Sequence, residues 1–193
     1  MDSNKNGNGN GNGSNDIIIG CMFSGKSTEI IRLIKRYQNI PSKRLLIINH
    51  SSDIRYGKSV ISTHNKEQIS CKSLSYLSVI KEKEDYKNSN VIFIEEGQFF
   101  KDLYDFSTNA ADNDNKEVII SGLDGDFKRE CFGDICRLIP HAENIKKLNA
   151  LCSKCQNGTV ANFTKRIVSN SDQTLIGSSE SYIPVCRYHF INN

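Results

Sequence analysis

The 193-residue sequence predicts an α/β fold: a mainly parallel sheet flanked by helices, with a small lobe appended at its C-terminal end. Three observations predict it. Short β-branched apolar runs alternate with stretches of helical periodicity, the pattern of βαβ units. A glycine-rich loop joins the first such run to the first helix. Beyond Ala150 the texture turns loop-rich, and Cys152, Cys155 and Cys186 gather there with His189.

The elements follow in order. Residues 1–15 are mostly Asn and Gly, with Ser, Lys and Asp and almost nothing apolar, so they bury too little surface to offset ordering entropy and predict a disordered tail. Ile17-Ile18-Ile19 reads as a buried strand ended by Gly20. From Lys26 the period changes: Ile30, Ile31, Leu33, Ile34 and Tyr37 recur at helical steps, with Glu29, Arg32, Lys35 and Arg36 between them and Pro41 just beyond. Leu45 to Asn49, Val91 to Glu95 and Val118 to Ser121 read as further strands. Helices are expected over Leu74 to Lys83 and Asp102 to Ala111. The boundaries are then a tail over 1–15, an α/β domain over 16–150 and a metal-stabilised lobe over 151–193.

Composition bounds the function. Apolar residues make up 37 %, enough for a core once the polar tail is set aside. No apolar run approaches the ~18 residues of a membrane span, and the polar N-terminus is no secretory signal. A cytoplasmic protein with no membrane partner is expected. The net charge of +3 is small, and no basic cluster interleaved with aromatics supports a nucleic-acid partner. Seven cysteines cannot all pair, which suggests reduced thiols and one metal site.

Gly20-Cys21-Met22-Phe23-Ser24-Gly25-Lys26-Ser27 fits a phosphate-cradling P-loop, so the sheet is expected to be of the P-loop NTPase type. The two glycines let the backbone turn its amides toward phosphate oxygens. Lys26 reaches the β/γ-phosphates, the Ser27 hydroxyl ligates Mg²⁺, and the following helix aims its N-terminus at the same anion. Downstream, Val91-Ile92-Phe93-Ile94 runs into Glu95-Glu96-Gly97-Gln98, where a Mg²⁺-organising carboxylate is expected. Adjacent strand residues point to opposite sides. One glutamate can therefore face the metal shell while the other meets an acceptor hydroxyl as general base. Cys152-x-x-Cys155 and Cys186-x-x-His189 suit tetrahedral Zn²⁺, read as a closed structural site, with 156–185 as a loop tied at its base.

The stretch Met22 to Glu29 and the run Glu96-Gly97-Gln98-Phe99-Phe100 resemble the type II thymidine kinase family, the cytosolic and viral kind. Further matching segments are Asp53-Ile54-Arg55-Tyr56, Leu123-Asp124-Gly125-Asp126-Phe127, Phe132-Gly133 and Thr164-Lys165-Arg166. Gly177, Glu180, Tyr182, Pro184, Cys186, Arg187, His189 and Phe190 fall at the family's signature spacing. The resemblance spans about residues 17 to 190.

The resemblance implies transfer of the ATP γ-phosphoryl to the 5′-hydroxyl of thymidine or deoxyuridine, with Mg²⁺. It implies Glu96 as the base, Lys26 and Arg55 as charge-neutralising catalytic groups, and Asp53, Ile54, Glu95, Gly97 and Gln98 beside the loop in the ATP and Mg²⁺ site. It implies nucleoside contacts at Met22, Phe99, Leu123, Phe127, Phe132, Thr164 and Tyr182. The backbone of Gln173, Thr174, Leu175, Ile176 and Gly177 would form a lasso over the base edge. A homotetramer with feedback by dTTP is implied too. The chain departs from the family at Glu95, where Asp is usual, at Cys21, where Pro is frequent, and at Asp126, where a neutral residue is common. Two other classes compete: a nucleotide-binding relative without turnover, and a zinc-ribbon nucleic-acid protein.

Overall fold

The computed structural model describes residues 13–53, 57, 59–63, 67–169, 172–173 and 180–192. It opens with β1 (Ser14–Gly20), the phosphate loop and α1 (Lys26–Gln38). Next come β2 (Leu45–His50), the short pair β3 (Val60–Ser62) and β4 (Gln68–Ser70), and β5 (Lys72–Leu74). After a 3₁₀ turn at Ser78–Ile80 follow α2 (Glu84–Asn88), β6 (Val91–Glu95), α3 (Leu103–Asp112), β7 (Glu117–Gly122) and β8 (Asn144–Leu148). The C-terminal part holds β9 (Ala150–Leu151), β10 (Val160–Ala161), β11 (Phe163–Arg166), β12 (Tyr182–Val185) and α4 (Arg187–Ile191).

Six strands form one sheet in the order β5-β2-β6-β7-β1-β8, and every pairing in it is parallel. The apolar runs are buried on both faces, and their alternation divides them between two cores. Ile17, Ile19, Leu46, Ile48, Ile92, Ile94, Val118 and Ile120 pack with Leu103, Phe106 and Ala110 of α3. Ile18, Val91, Phe93 and Ile119 pack with Ile30, Ile31 and Ile34 of α1. The sheet is therefore a middle layer with a helix on each face, and its strand ends on one side are left to bind ligands.

Three expectations change. Ser14 and Asn15, placed in the tail by composition, belong to β1: Ser14 pairs in register with Glu117, and the Asn15 amide donates to the Glu143 carboxylate at 2.6 Å. Tertiary pairing supplies what their side chains lack; residues 1–12 lie outside the described residues. The helix expected over Leu74–Lys83 is replaced by the end of β5 and a 3₁₀ turn. Leu77 and Ile80, three residues apart, are both buried at this turn. The Asp102 carboxylate takes the Leu77 and Ser78 amides at 3.1 and 2.8 Å, capping that turn from another element. Third, β8 escapes detection because it is a polar edge strand, Asn-Ile-Lys-Lys-Leu, whose lysines face solvent as edge strands require. The helix expected over Asp102–Ala111 is α3, displaced by one residue.

No helix among the described residues is long and apolar enough to cross a membrane.

Candidate active site

The phosphate loop leaves β1 at the end of the sheet and turns into α1. Gly20 has φ +152°, and a Cβ there would meet the Leu148 carbonyl oxygen of neighbouring β8 at 2.3 Å, so the loop starts where only glycine fits. Phe23 and Gly25 take left-handed backbone, φ 64° and 85°, which closes the loop before the first turn of α1. Lys26 folds back, its Nζ donating to the Cys21 carbonyl at 2.9 Å. Burial lowers its pKa, while the Glu96 and Glu95 carboxylates pull it back up. Cys21 is buried, its Sγ 3.5 Å from the Ala161 carbonyl, and the Met22 amide donates to the Thr164 hydroxyl at 3.0 Å. The loop thus leans on the C-terminal lobe.

Both glutamates are buried, Glu95 at 3 % and Glu96 at 9 % exposure. Glu95 is the last residue of β6, and its Oε1 accepts the Ser27 hydroxyl at 2.5 Å. Its Oε2 is fully buried with no hydrogen-bond partner among the described residues. Burial, then the neighbouring Glu96, raise the Glu95 pKa to about 7 against the pull of Ser121, Ser27 and Lys26. Glu96 has already left the strand: φ 55° places it in the left-handed region. Its Oε2 accepts from Gln98 Nε2 at 2.5 Å, and Gln98 Oε1 accepts the Leu123 amide at 3.0 Å. The two carboxylates do have different partners, as expected, but a backbone turn after Glu95 separates them rather than the pleat of a strand.

Asp53 follows β2, its Oδ2 accepting from Asn49 at 3.2 Å. Ile54 and Arg55 lie outside the described residues, as do Thr174, Leu175, Ile176 and Gly177. Gly97, Gln98 and Phe99 form a 3₁₀ turn directly after Glu96. The Phe99 ring meets Phe132 edge-on at 5.5 Å, and the His50 ring lies tilted to it, also at 5.5 Å. Leu123 is half-buried beside Gln98. Phe127 carries the Arg166 guanidinium 3.8 Å above its ring. The same guanidinium donates to the Tyr182 hydroxyl at 2.6 Å and to the Asp172 and Gln173 carbonyls at 2.6 and 3.2 Å.

Asp126 is 5 % exposed. Its Oδ1 accepts the Lys128 and Glu130 amides, and its Oδ2 accepts from Gln173 Nε2 at 2.8 Å. Neither Arg166 nor Asp126 carries a role in the sequence pattern. The signal was their place beside Thr164 and Phe127, but only the fold shows that they join those segments.

Cys152 and Cys155 sit in the turn between β9 and β10, and Cys186 and His189 bracket the first turn of α4. Their ligand atoms lie within 4.8 Å of one another. His189 Nδ1 is 3.6, 3.3 and 3.4 Å from the sulfurs of Cys152, Cys155 and Cys186, and Cys155 and Cys186 are 3.8 Å apart. A tetrahedron with ordinary zinc bond lengths gives about 3.5 Å between nitrogen and sulfur and about 3.8 Å between sulfurs. Burial raises the Cys152 thiol, but the amides of Cys186, Cys155 and Lys154 outweigh it and bring the pKa down to about 6. The donor set therefore fits zinc. The Ser27 hydroxyl and the orphaned Glu95 Oε2 are hard oxygen donors on one side of the loop, and they fit Mg²⁺ rather than a softer ion.

The family model described as thymidine kinase matches residues 13–190. The thymidine kinase of sheeppox virus is 46 % identical over 171 residues, covering 89 % of this chain and 93 % of the relative. Thymidine kinase 1 of Dictyostelium discoideum is 46 % identical over 175 residues, covering 89 % and 74 % respectively. The protein named cytosolic thymidine kinase of Gallus gallus is 39 % identical over 171 residues, covering 89 % and 74 %.

Proposed function

The chain belongs to the thymidine kinase family, phosphotransferases acting on thymidine and ATP, and we propose how its residues divide that work. The reading rests above all on the separation of the two buried glutamates, one bound to the phosphate loop and the other to the nucleoside side.

Gly20 to Ser27 hold the ATP phosphates. The loop amides and the N-terminus of α1 face the anion, and Lys26 leaves the Cys21 carbonyl to meet the β/γ-oxygens. Ser27 and Glu95 would hold Mg²⁺, with Asp53 and Arg55 nearby. When bound, that ion neutralises charge on the transferring phosphoryl group. Glu96 takes the proton of the thymidine 5′-hydroxyl. Gln98 grips one carboxylate oxygen and is itself held by the Leu123 amide, so the base is aimed before substrate arrives.

Met22, Leu123, Thr164 and Tyr182 surround the base, and Phe99, Phe127 and Phe132 contribute ring faces and edges. Zinc on Cys152, Cys155, Cys186 and His189 ties the ends of the lobe over 151–193. By the same resemblance we infer a cytoplasmic homotetramer that also accepts deoxyuridine and is inhibited by dTTP.

The test is steady-state kinetics of Glu96→Gln. It should lose roughly 10²–10⁴-fold in kcat, the span of a lost general base, with thymidine KM nearly unchanged. Undiminished turnover would remove Glu96 from this role.

A further inference from the structure

Two cysteines outside the zinc cluster flank Phe132 in the run Cys131-Phe-Gly-Asp-Ile-Cys136. The fold brings them onto one peptide from two directions. The Cys131 backbone pairs with Gly125 in an isolated antiparallel bridge, while the Cys136 thiol donates to the carbonyl of Asp124, one residue earlier, at 3.2 Å. The Cys131 side chain lies near enough to Cys136 to raise its pKa. Cys131 is exposed and Cys136 half-buried, so one thiol meets solvent reagents and the other waits behind it.

We propose that Cys131 and Cys136 are a thiol-modification site that takes a disulfide from low-molecular-weight disulfides and thereby slows the kinase from its nucleoside side. The Cys131 thiolate attacks one sulfur of the small disulfide, breaking its S–S bond and leaving a mixed disulfide on Cys131. The departing thiolate takes up a proton. The Cys136 sulfur, giving up its proton to solvent, then attacks the Cys131 sulfur and expels the second small thiol. The two protein thiols are oxidised by two electrons, and the small disulfide is reduced to two thiols. Burial, then the adjacent Cys131, raise the Cys136 pKa to about 11. That makes Cys136 the slow partner and keeps it protonated against Asp124 until the mixed disulfide stands beside it.

The bond reaches the active site by two short routes. Its ring contains Phe132, which is 8 % exposed and packs edge-on against Phe99. It also draws the Cys136 sulfur off the Asp124 carbonyl, next to Leu123, whose amide holds Gln98 and through it Glu96. This kinetic consequence rests on the proposed nucleoside side; the covalent bond does not.

The experiment incubates zinc-loaded protein with glutathione disulfide. It reads the peptide spanning 131–136 by mass, zinc release by a chromogenic chelator, and kinetics on the same sample. The expected result is loss of two hydrogens within that peptide, a severalfold fall in kcat/KM for thymidine, unchanged ATP KM, no zinc release, and recovery with dithiothreitol. Cys136→Ser should stop at a mixed disulfide on Cys131, and Cys131→Ser should leave Cys136 unmodified; both should keep their rate. Absence of the internal disulfide, or its presence with unchanged thymidine kinetics, would overturn the proposal. So would an equal loss of activity in Cys136→Ser. Glu96→Gln is judged on reduced protein, so the two readings fail separately.

Discussion

Glu95 carries the main electrostatic tension of the site. Its folded pKa, about 7, stands above the ordinary 4.5 because burial and Glu96 disfavour its charge. The folded protein therefore binds this proton more tightly than the unfolded chain. The stabilisation is full below the ordinary value and is lost as pH rises toward 7. The unliganded protein should lose thermal stability from roughly pH 5 to pH 8, by about 3 kcal/mol if this group acted alone. Melting curves should show Glu95→Gln flattening that slope while abolishing turnover; an unchanged slope would remove Glu95 as its source. Cation affinity should run the opposite way, rising with pH as the carboxylate ionises.

Arg166 makes a second prediction at this scale. It stacks on Phe127 and bonds Tyr182 through the planar fork that lysine lacks. Arg166→Lys should raise thymidine KM roughly tenfold, or ~1.4 kcal/mol, and leave ATP KM alone. The identity of the glutamates was legible in the sequence, as an acidic pair after an apolar run. Their burial was not, because it depends on which strands flank β6.

Elements explain why side chains so far apart in sequence act together. The 3₁₀ turn after β6 sits against the end of β7, where Gly122 leaves room for the Gln98 side chain. A Cβ at Gly122 would lie 2.4 Å from both Gln98 Oε1 and Ile135 Cδ1. Gly122→Ala should displace Gln98, loosen Glu96 and cut kcat on the order of 10²-fold, the cost of a misplaced catalytic group. Normal kcat in a folded Gly122→Ala protein would show that Gln98 does not aim the base.

Apolar β1, β2, β6 and β7 were readable because both their faces are buried. The strands β3, β4 and β5 were not, because three residues are too short to show a period, and the edge strand β8 was not, because its residues are mostly polar and exposed. The segment 74–83 differs for another reason: only Leu77 and Ile80 of its apolar residues are buried, three positions apart, and Asp102 caps their turn from 22 positions or more beyond it.

At the scale of the molecule, the parallel sheet and the zinc-type lobe meet at the phosphate loop. Cys21 belongs to the lobe's core cluster with Ala150, Cys152, Ala161, Val185 and Cys186, and Met22 bonds Thr164. Chelating the metal should therefore raise thymidine KM most, through Thr164 and Tyr182, and weaken ATP binding to a smaller extent through Cys21 and Met22. Titrations of both substrates before and after chelation check this. Loss of ATP binding with thymidine binding intact would reverse the division of labour between sheet and lobe.

Residue type and spacing were enough for the fold class, the phosphate loop, the acidic pair and the four candidate metal ligands. Each is a local pattern whose chemistry depends on residue type and short spacing. Folding alone buries Glu95 with one oxygen unpartnered among the described residues, holds Glu96 through Gln98 and Leu123, joins Phe127 to Tyr182 through Arg166, and brings two further cysteines to Asp124 and Gly125. The physical reason is the same in every case. Burial and long-range hydrogen bonds depend on which distant segments the parallel sheet brings side by side, and no local window of sequence contains both partners.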